Sequence, residues 1–335
     1  MARYYCTGSQ RNQPVSTEIT GYAVSALAYL HALSGDARFL ERASQAARFL
    51  TGAWDSASAA MPFELAPGAP TYFFDCGIVV RGLLSAWRST GEGEFLGTAA
   101  SLGEAMARDF VSEEGGIHPI LALPAKSPVE GDPTRWSRSP GCYQLKPAMA
   151  WFDLAEATGR AEFRACYGRA LERALRQCDE FLPGHPDPSK VMDRLHAFCY
   201  FLEGLLPRAT DPACARALAD GIQRTAALLR QIAPRFERSD VYAQLLRLRL
   251  HAGYAAAVPI DRSAAEWEAA RLAEFQAASA DPRIDGGFYF GRRQGEWLPF
   301  VNPVSTAFAQ QALALWDGSA GGAVGGPRPY RHWLI

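Results

Sequence analysis

Four segments of this 335-residue chain repeat one pattern: an apolar helix, a turn, usually with glycine, and an amphipathic helix. They are Ala28–Asp36 with Phe39–Ala43, Leu83–Gly91 with Phe95–Ala99, Trp151–Gly159 with Phe163–Ala165, and Leu248–Tyr254 with Trp267–Ala270 after a longer turn. A repeat of this size cannot bury its own apolar face, so neighbouring hairpins must cover one another. The first helix of most pairs is the more apolar. The second helix of the first pair carries Arg38, Glu41, Arg42, Gln45 and Arg48. That contrast separates an inner from an outer layer. Gly35, Gly91 and Gly159 stand where a left-handed helix cap is expected. A further pair is predicted at 189–206 and 211–233, and a lone apolar helix at 303–316 after Asn302. The expected chain is therefore one all-α domain over 1–335 with eleven helices, a lead-in at 1–15 and a Gly-rich tail at 318–335. A closed ring of six hairpins needs a twelfth helix, which the tail replaces or leaves out.

The net charge of −1 gives no nucleic-acid footprint. The opening residues Met1 to Cys6 lack an apolar signal region, and no run of 18 apolar residues offers a membrane span. A cytoplasmic protein is expected, or a periplasmic one if a leader precedes this sequence. The seven cysteines include no C-x-x-C pair and read as reduced, buried thiols. Cys76, Cys142 and Cys199 fall near helix openings, so a zinc site with His196 is the alternative, and no cofactor is expected. No nucleophile-elbow, zinc-peptidase, kinase or phosphate-loop motif occurs, and no Asp-rich helix of the terpene-cyclase kind.

Candidate chemistry gathers where apolar helices begin. Ser16 or Thr17 caps the first helix, and Glu18 follows in its first turn, where a helix dipole favours a carboxylate. Asp75 opens the second apolar helix behind Tyr72, Phe73 and Phe74, and Thr71–Phe74 reads as a short strand or a lead-in. Glu18 and Asp75 are thus paired-carboxylate candidates, with helix capping as the plain alternative. His196 lies one turn before Tyr200 on one helix face and suits proton transfer near neutral pH. Asp240 and Tyr242 open a later helix, with Gln244 close by. Arg81 sits inside an apolar helix and needs a buried partner, Asp75 for example, or an anionic ligand. Tyr143, Gln144 and Lys146 begin the third apolar helix after a loop carrying Arg135 and Trp136. The stretch Asp285 to Gly291, with Tyr289, Arg292, Arg293 and Trp297, reads as a hairpin across the same face. The long connections 54–73, 115–141 and 280–301 all lead into apolar-helix openings, which places them at one end of the ring.

The motifs Glu18-Ile19-Thr20-Gly21-Tyr22, Phe74-Asp75-Cys76-Gly77, His196-Ala197-Phe198-Cys199-Tyr200, Gly204-Leu205-Leu206, Asp240 to Gln244 and Asn302 resemble those of a family. The chain looks like an (α/α)6 toroid of the six-hairpin glycosidase type, incomplete at the last hairpin, with short β pieces in the loops of the site face. The pattern is similar to bacterial polysaccharide-biosynthesis proteins of the VpsJ type. More distantly it resembles unsaturated glucuronyl hydrolases, N-acylglucosamine 2-epimerases and glucuronyl C5-epimerases. Asp75 stands where relatives carry Asn, and the Lys of their last inner helix is absent near Thr306 and Ala307. The resemblance implies a polysaccharide or oligosaccharide ligand, with partners in a biosynthesis complex, and an enzyme acting on a bacterial (exo)polysaccharide. Such a site needs carboxylates, flat rings and polar forks. Glycoside hydrolysis by Glu18 and Asp75 leads. Uronate-directed elimination or epimerisation, with His196 or Tyr242 as base and Arg81 or Lys146 holding the acid, is the alternative. Tyr22, Trp136, Tyr143, Gln144, Tyr200, Gln244, Asp285, Tyr289, Trp297 and Asn302 would line the ligand. A non-catalytic glycan-binding protein of polysaccharide export is the rival from another class.

Overall fold

A computed structural model of the chain describes residues 1–132, 134–233, 235–320 and 331–335. The chain parts into two compact units. The first holds Met1, Pro14–Gln177 and His332–Leu334; the second holds Ala2–Gln13, Cys178–Arg331 and Ile335.

The first unit contains three hairpins: α1 (Thr17–Ser34) with α2 (Ala37–Ala53), α3 (Phe73–Thr90) with α4 (Gly93–Asp109), and α5 (Leu145–Thr158) with α6 (Ala161–Gln177). The apolar member of each pair is the buried one. Eleven of 18 residues in α1 are buried, against five of 17 in α2. Helix α3 packs on α1 and on α5, and glycine permits both approaches. A Cβ on Gly82 would lie 2.6 Å from the Gly21 carbonyl oxygen, and one on Gly77 would lie 2.4 Å from Pro147. The first helices of all three hairpins end on left-handed glycines, Gly35, Gly91 and Gly159, with φ of 72°, 75° and 73°. The connection into α3 ends in β1 (Thr71–Tyr72), which pairs antiparallel with β2 (Ile120–Ala122), and β2 pairs with β3 (Ser127–Pro128). The expected strand or lead-in is therefore both: Thr71 and Tyr72 are strand, and Phe73 already begins the helix.

The second unit holds α7 (Pro188–Leu205) with α8 (Pro212–Ile232), α9 (Ser239–Tyr254) with α10 (Arg262–Ala273), and α11 (Pro303–Ala320). Fourteen of the 16 residues of α9 are buried, so it is the core of this unit. Helix α10 begins earlier than its apolar residues suggest, because the Asp261 side chain caps it by accepting from the Ala264 amide. One short sheet is β4 (Phe236–Arg238), β5 (Gly291–Arg293) and β6 (Glu296–Trp297), and it delivers the chain directly into α9. The other joins Tyr5–Cys6 to Arg11–Asn12 and to Phe300–Val301, just before α11.

Eleven α-helices are present among the described residues, as the repeats require. The tail boundary at 318 is corrected, because α11 runs on to Ala320. Of the rest of that expected tail, 321–330 lie outside the described residues, and Arg331–Trp333 form a 3-10 turn. No described helix is long and apolar enough to cross a membrane.

Candidate functional site

In the first unit the carboxylates of Glu18 and Asp75 interact electrostatically. Neither is a helix cap. Ser16 caps α1 by accepting from the Ile19 amide at 3.2 Å, and the N-cap position of α3 is Tyr72. Thr17 instead donates to the Pro62 carbonyl at 2.9 Å, tying the connection 54–72 to the head of α1. Glu18 is partly exposed and Asp75 is buried. Burial pushes Glu18 up from 4.5 to about 7. Burial, and then the charge of Glu18, pushes Asp75 well above the carboxylate range. The Asp75 Oδ2 atom is buried and accepts no hydrogen bond. Two carboxyls coupled in this way titrate as a pair rather than one by one.

Aromatic side chains cluster at the heads of α3 and α5. Phe74 lies 6.3 Å from Tyr143, and Trp136 meets Tyr143 edge-on at 5.0 Å. Tyr143 is buried, and its hydroxyl donates to the Ser139 carbonyl. Tyr22 is buried one turn after Glu18 on α1, and Lys146 is fully buried in the first turn of α5. Two expectations are corrected here. Arg81 pairs not with Asp75 but with Asp153 of α5, at 2.9 Å and fully enclosed. Six residues along a helix turn the side chain about 120° away, so Asp75 faces another direction. Gln144 is not a free polar fork. Its Oε1 accepts from the Gly141 amide and its Nε2 donates to the Ile117 carbonyl, so it staples the loop 115–141.

In the second unit the cluster forms around His196, which lies in the middle of α7 rather than at its opening. Its Nδ1 is 2.8 Å from Gln244 Oε1 and 3.4 Å from Asp240 Oδ2, both on α9. The ring meets Tyr200 edge-on at 4.5 Å, as the four-residue spacing requires. Asp240 is gripped by both arms of Arg238, at 3.0 and 2.6 Å, and Arg238 also reaches Asp193 at 2.7 Å. Burial opposes the charge on Asp240, but Arg238 and then His196 overcome it and hold the carboxyl below its usual range. Burial drives the His196 imidazole down to about 4, so it is neutral at pH 7. Tyr242 is corrected: two residues along α9 point it away from Asp240. Its hydroxyl donates to Glu237 at 2.8 Å, and burial followed by the Glu237 charge pushes it up, out of the range of a useful base.

The remaining candidates in this unit hold loops. Asn302 caps α11, accepting from the Val304 amide at 2.8 Å. Asp285 accepts from the Ser279 amide. Tyr289 stacks on the exposed Trp297 at 5.2 Å and 19°. Arg238, Asp193 and the Glu237–Arg271–Arg292 cluster were not foreseen. The one available signal was the charged run Glu237-Arg238 immediately before a helix opening.

All seven cysteines are free, and Cys76, Cys142 and Cys199 are buried. Cys76 lies 3.4 Å from the Thr71 hydroxyl and is pushed up by burial to about 12. The zinc alternative is corrected: no three His, Cys, Asp or Glu side chains among the described residues are grouped to hold a metal ion.

No known family profile matches the chain, and no curated protein matches its sequence. Solved structures do match its fold. A sugar epimerase from a ruminal bacterium superposes with a TM-score of 0.72 at 12% identity, over 95% of this chain and 92% of that one. Cellobiose 2-epimerase from Spirochaeta thermophila gives 0.68 at 13%, over 91% and 87%. A family 76 glycoside hydrolase from a bovine Bacteroides thetaiotaomicron strain gives 0.58 at 10%, over 91% and 70%. The fold is the (α/α)6 toroid. The repeated hairpins, the buried first helices and the short strands in the loops are its parts. At identities this low the likeness carries fold and nothing finer.

Proposed function

We propose that this chain is a carbohydrate-active enzyme that hydrolyses glycosidic bonds of a bacterial polysaccharide or its oligosaccharides. The observation that carries the reading is the Glu18–Asp75 pair, two coupled carboxyls both raised, Glu18 by burial and Asp75 by burial and then by the charge of Glu18. The protonated member gives its proton to the leaving glycosidic oxygen, and the ionised member activates water or attacks the sugar carbon. Trp136 supplies a flat ring for stacking, and Lys146 and Tyr22 supply polar contacts from the same unit. The similar structures named above include carbohydrate enzymes, which supports the substrate class. The finer kinship with VpsJ-type polysaccharide-biosynthesis proteins belongs to the same proposal.

The test is turnover of a panel of bacterial polysaccharides and their oligosaccharides, read as new reducing ends. Glu18→Gln and Asp75→Asn should each lower the rate by about 10²-fold or more, the usual worth of a positioned acid or base. Rates equal to the unaltered protein would refute the assignment. Epimerisation is the second reading, favoured by the neutral, anchored His196 of the second unit. It would show as solvent deuterium entering the sugar with no new reducing end.

A further inference from the structure

We infer that Arg238 is a positioning residue that fixes the tautomer of His196, with the proton on Nδ1 and Nε2 unprotonated. The steps are geometric. Arg238 closes a two-armed grip on Asp240 and is itself braced by Asp193 and by the Phe290 ring, 4.4 Å from its guanidinium carbon. Asp240 is therefore held as an anion with one oxygen 3.4 Å from His196 Nδ1. A lone pair on Nδ1 would face that negative oxygen, whereas a proton there is attracted to it. The same proton donates to Gln244 Oε1 at 2.8 Å, so the carboxylate and the amide oxygen select one tautomer together. Turning the Gln244 amide over would demand a lone pair on Nδ1 against the carboxylate, and Asp240 forbids it. The Nε2 nitrogen is then the basic end of the ring.

A second observation marks this place as prepared for a ligand. Gln244 is fully buried, yet its Nε2 group donates to nothing in the protein. A buried amide without an acceptor is costly, and a ligand hydroxyl or carbonyl oxygen would satisfy it. An amide donor beside a neutral imidazole base suits a hydroxylated or carbonyl-bearing ligand. The role as a sugar site rests on the function proposed above, but the tautomer does not.

The groups that face the ring include Asp240 and Gln244 from α9, Tyr200 from its own helix, and, at longer range, Arg238 and Asp193. Among them Arg238 is the cation, and it opposes protonation of the ring. Arg238→Met should therefore do two things. It frees Asp240 to turn or to take a proton, which mixes the two His196 tautomers. It also moves His196 titration up, by tenfold or more in proton affinity. Arg238→Lys keeps the charge but not the two-armed grip, so it should mix the tautomers with a smaller change in titration.

The experiment is nitrogen-15 histidine NMR on the full chain, with long-range correlation between ring protons and nitrogens. The His196 signal is assigned by its loss in His196→Asn. The expected result is a protonated Nδ1 and an unprotonated Nε2 across neutral pH in the unaltered protein, and mixed tautomers in Arg238→Met. A protonated Nε2 in the unaltered protein overturns the inference without any variant being needed. Arg238→Met that melts earlier but keeps the tautomer and titration of His196 reduces Arg238 to a structural residue, and also overturns it. The measurement needs no substrate. A chain that turns over no carbohydrate would refute the proposed function and leave this result untouched.

Discussion

The carboxyl of Glu18 gives a stability experiment whose sign and size follow from the structure. Its folded value of about 7 lies above the ordinary 4.5 because burial disfavours the anion. Between those two values the folded state binds a proton that the unfolded state has lost. Stability from this group is thus whole below pH 4.5, declines as pH rises, and is gone above about pH 7. Each tenfold in proton affinity is worth about 1.4 kcal/mol, so the decline totals about 3 kcal/mol. Glu18→Gln removes the titration and keeps the shape. The variant should therefore gain on the unaltered protein by about 3 kcal/mol between pH 4.5 and pH 8.5. An unfolding entropy near 2.1 cal/mol/K per residue over 335 residues converts that gain to roughly 4 °C if the whole chain melts together. It is about twice as large if the first unit melts alone. Thermal melts and urea titrations of both proteins at the two pH values decide the matter. A difference that does not change with pH would mean that Glu18 is hydrated and ordinary, and its role as a proton donor would fall with it.

On the proposed hydrolysis with Glu18 as the acid, turnover should fall on the alkaline side near pH 7 as Glu18 ionises; an assay of kcat/KM against pH checks this. Arg81→Met removes the guanidinium that Asp153 meets in a buried setting and should cost about 3–5 kcal/mol, while Arg81→Met with Asp153→Leu should recover most of that loss in urea titrations. Gly82→Ala puts a methyl 2.6 Å from the Gly21 carbonyl oxygen, so α1 and α3 must part, at a cost of about 1–3 kcal/mol on the same measurement. Tyr242→Phe should lose about 1 kcal/mol of stability with turnover unchanged, because its hydroxyl serves Glu237.

The helices were readable because each part of the signal is local. Gly35, Gly91 and Gly159 each end a helix within one turn of the residues that call for them, and the apolar runs before them state which helix is covered. Glu18 and Asp75 were readable for the same reason, as charges at the heads of apolar helices. The partners were not. Arg81 meets Asp153 across 72 positions of sequence, and no spacing within α3 foretells it. Gln144 looked like a free fork because the carbonyl that it holds, that of Ile117, belongs to an irregular loop. Arg238 escaped because it lies outside the helix that carries its partner. Its two-residue distance from Asp240 matches neither a helix face nor a cross-strand pair. Tyr242 failed on geometry alone, since proximity in sequence to Asp240 on a helix means opposite faces.

The buried charges divide into two kinds, and the division carries the functional argument further than any motif. Arg81, Arg247 and Arg249 are each matched by a buried carboxylate, Asp153, Glu203 and Glu268, at 2.6 to 2.9 Å. Those pairs join neighbouring helices within each unit and return, in attraction, much of what desolvation costs. Glu18 and Asp75 behave differently. Desolvation raises both, and the charge of Glu18 raises Asp75 further. A helix head could satisfy its amides with Ser16 alone, as α1 does. Three buried arginines are matched by carboxylates while two like charges are left together at the heads of α1 and α3, and that contrast is what the proposed hydrolysis rests on.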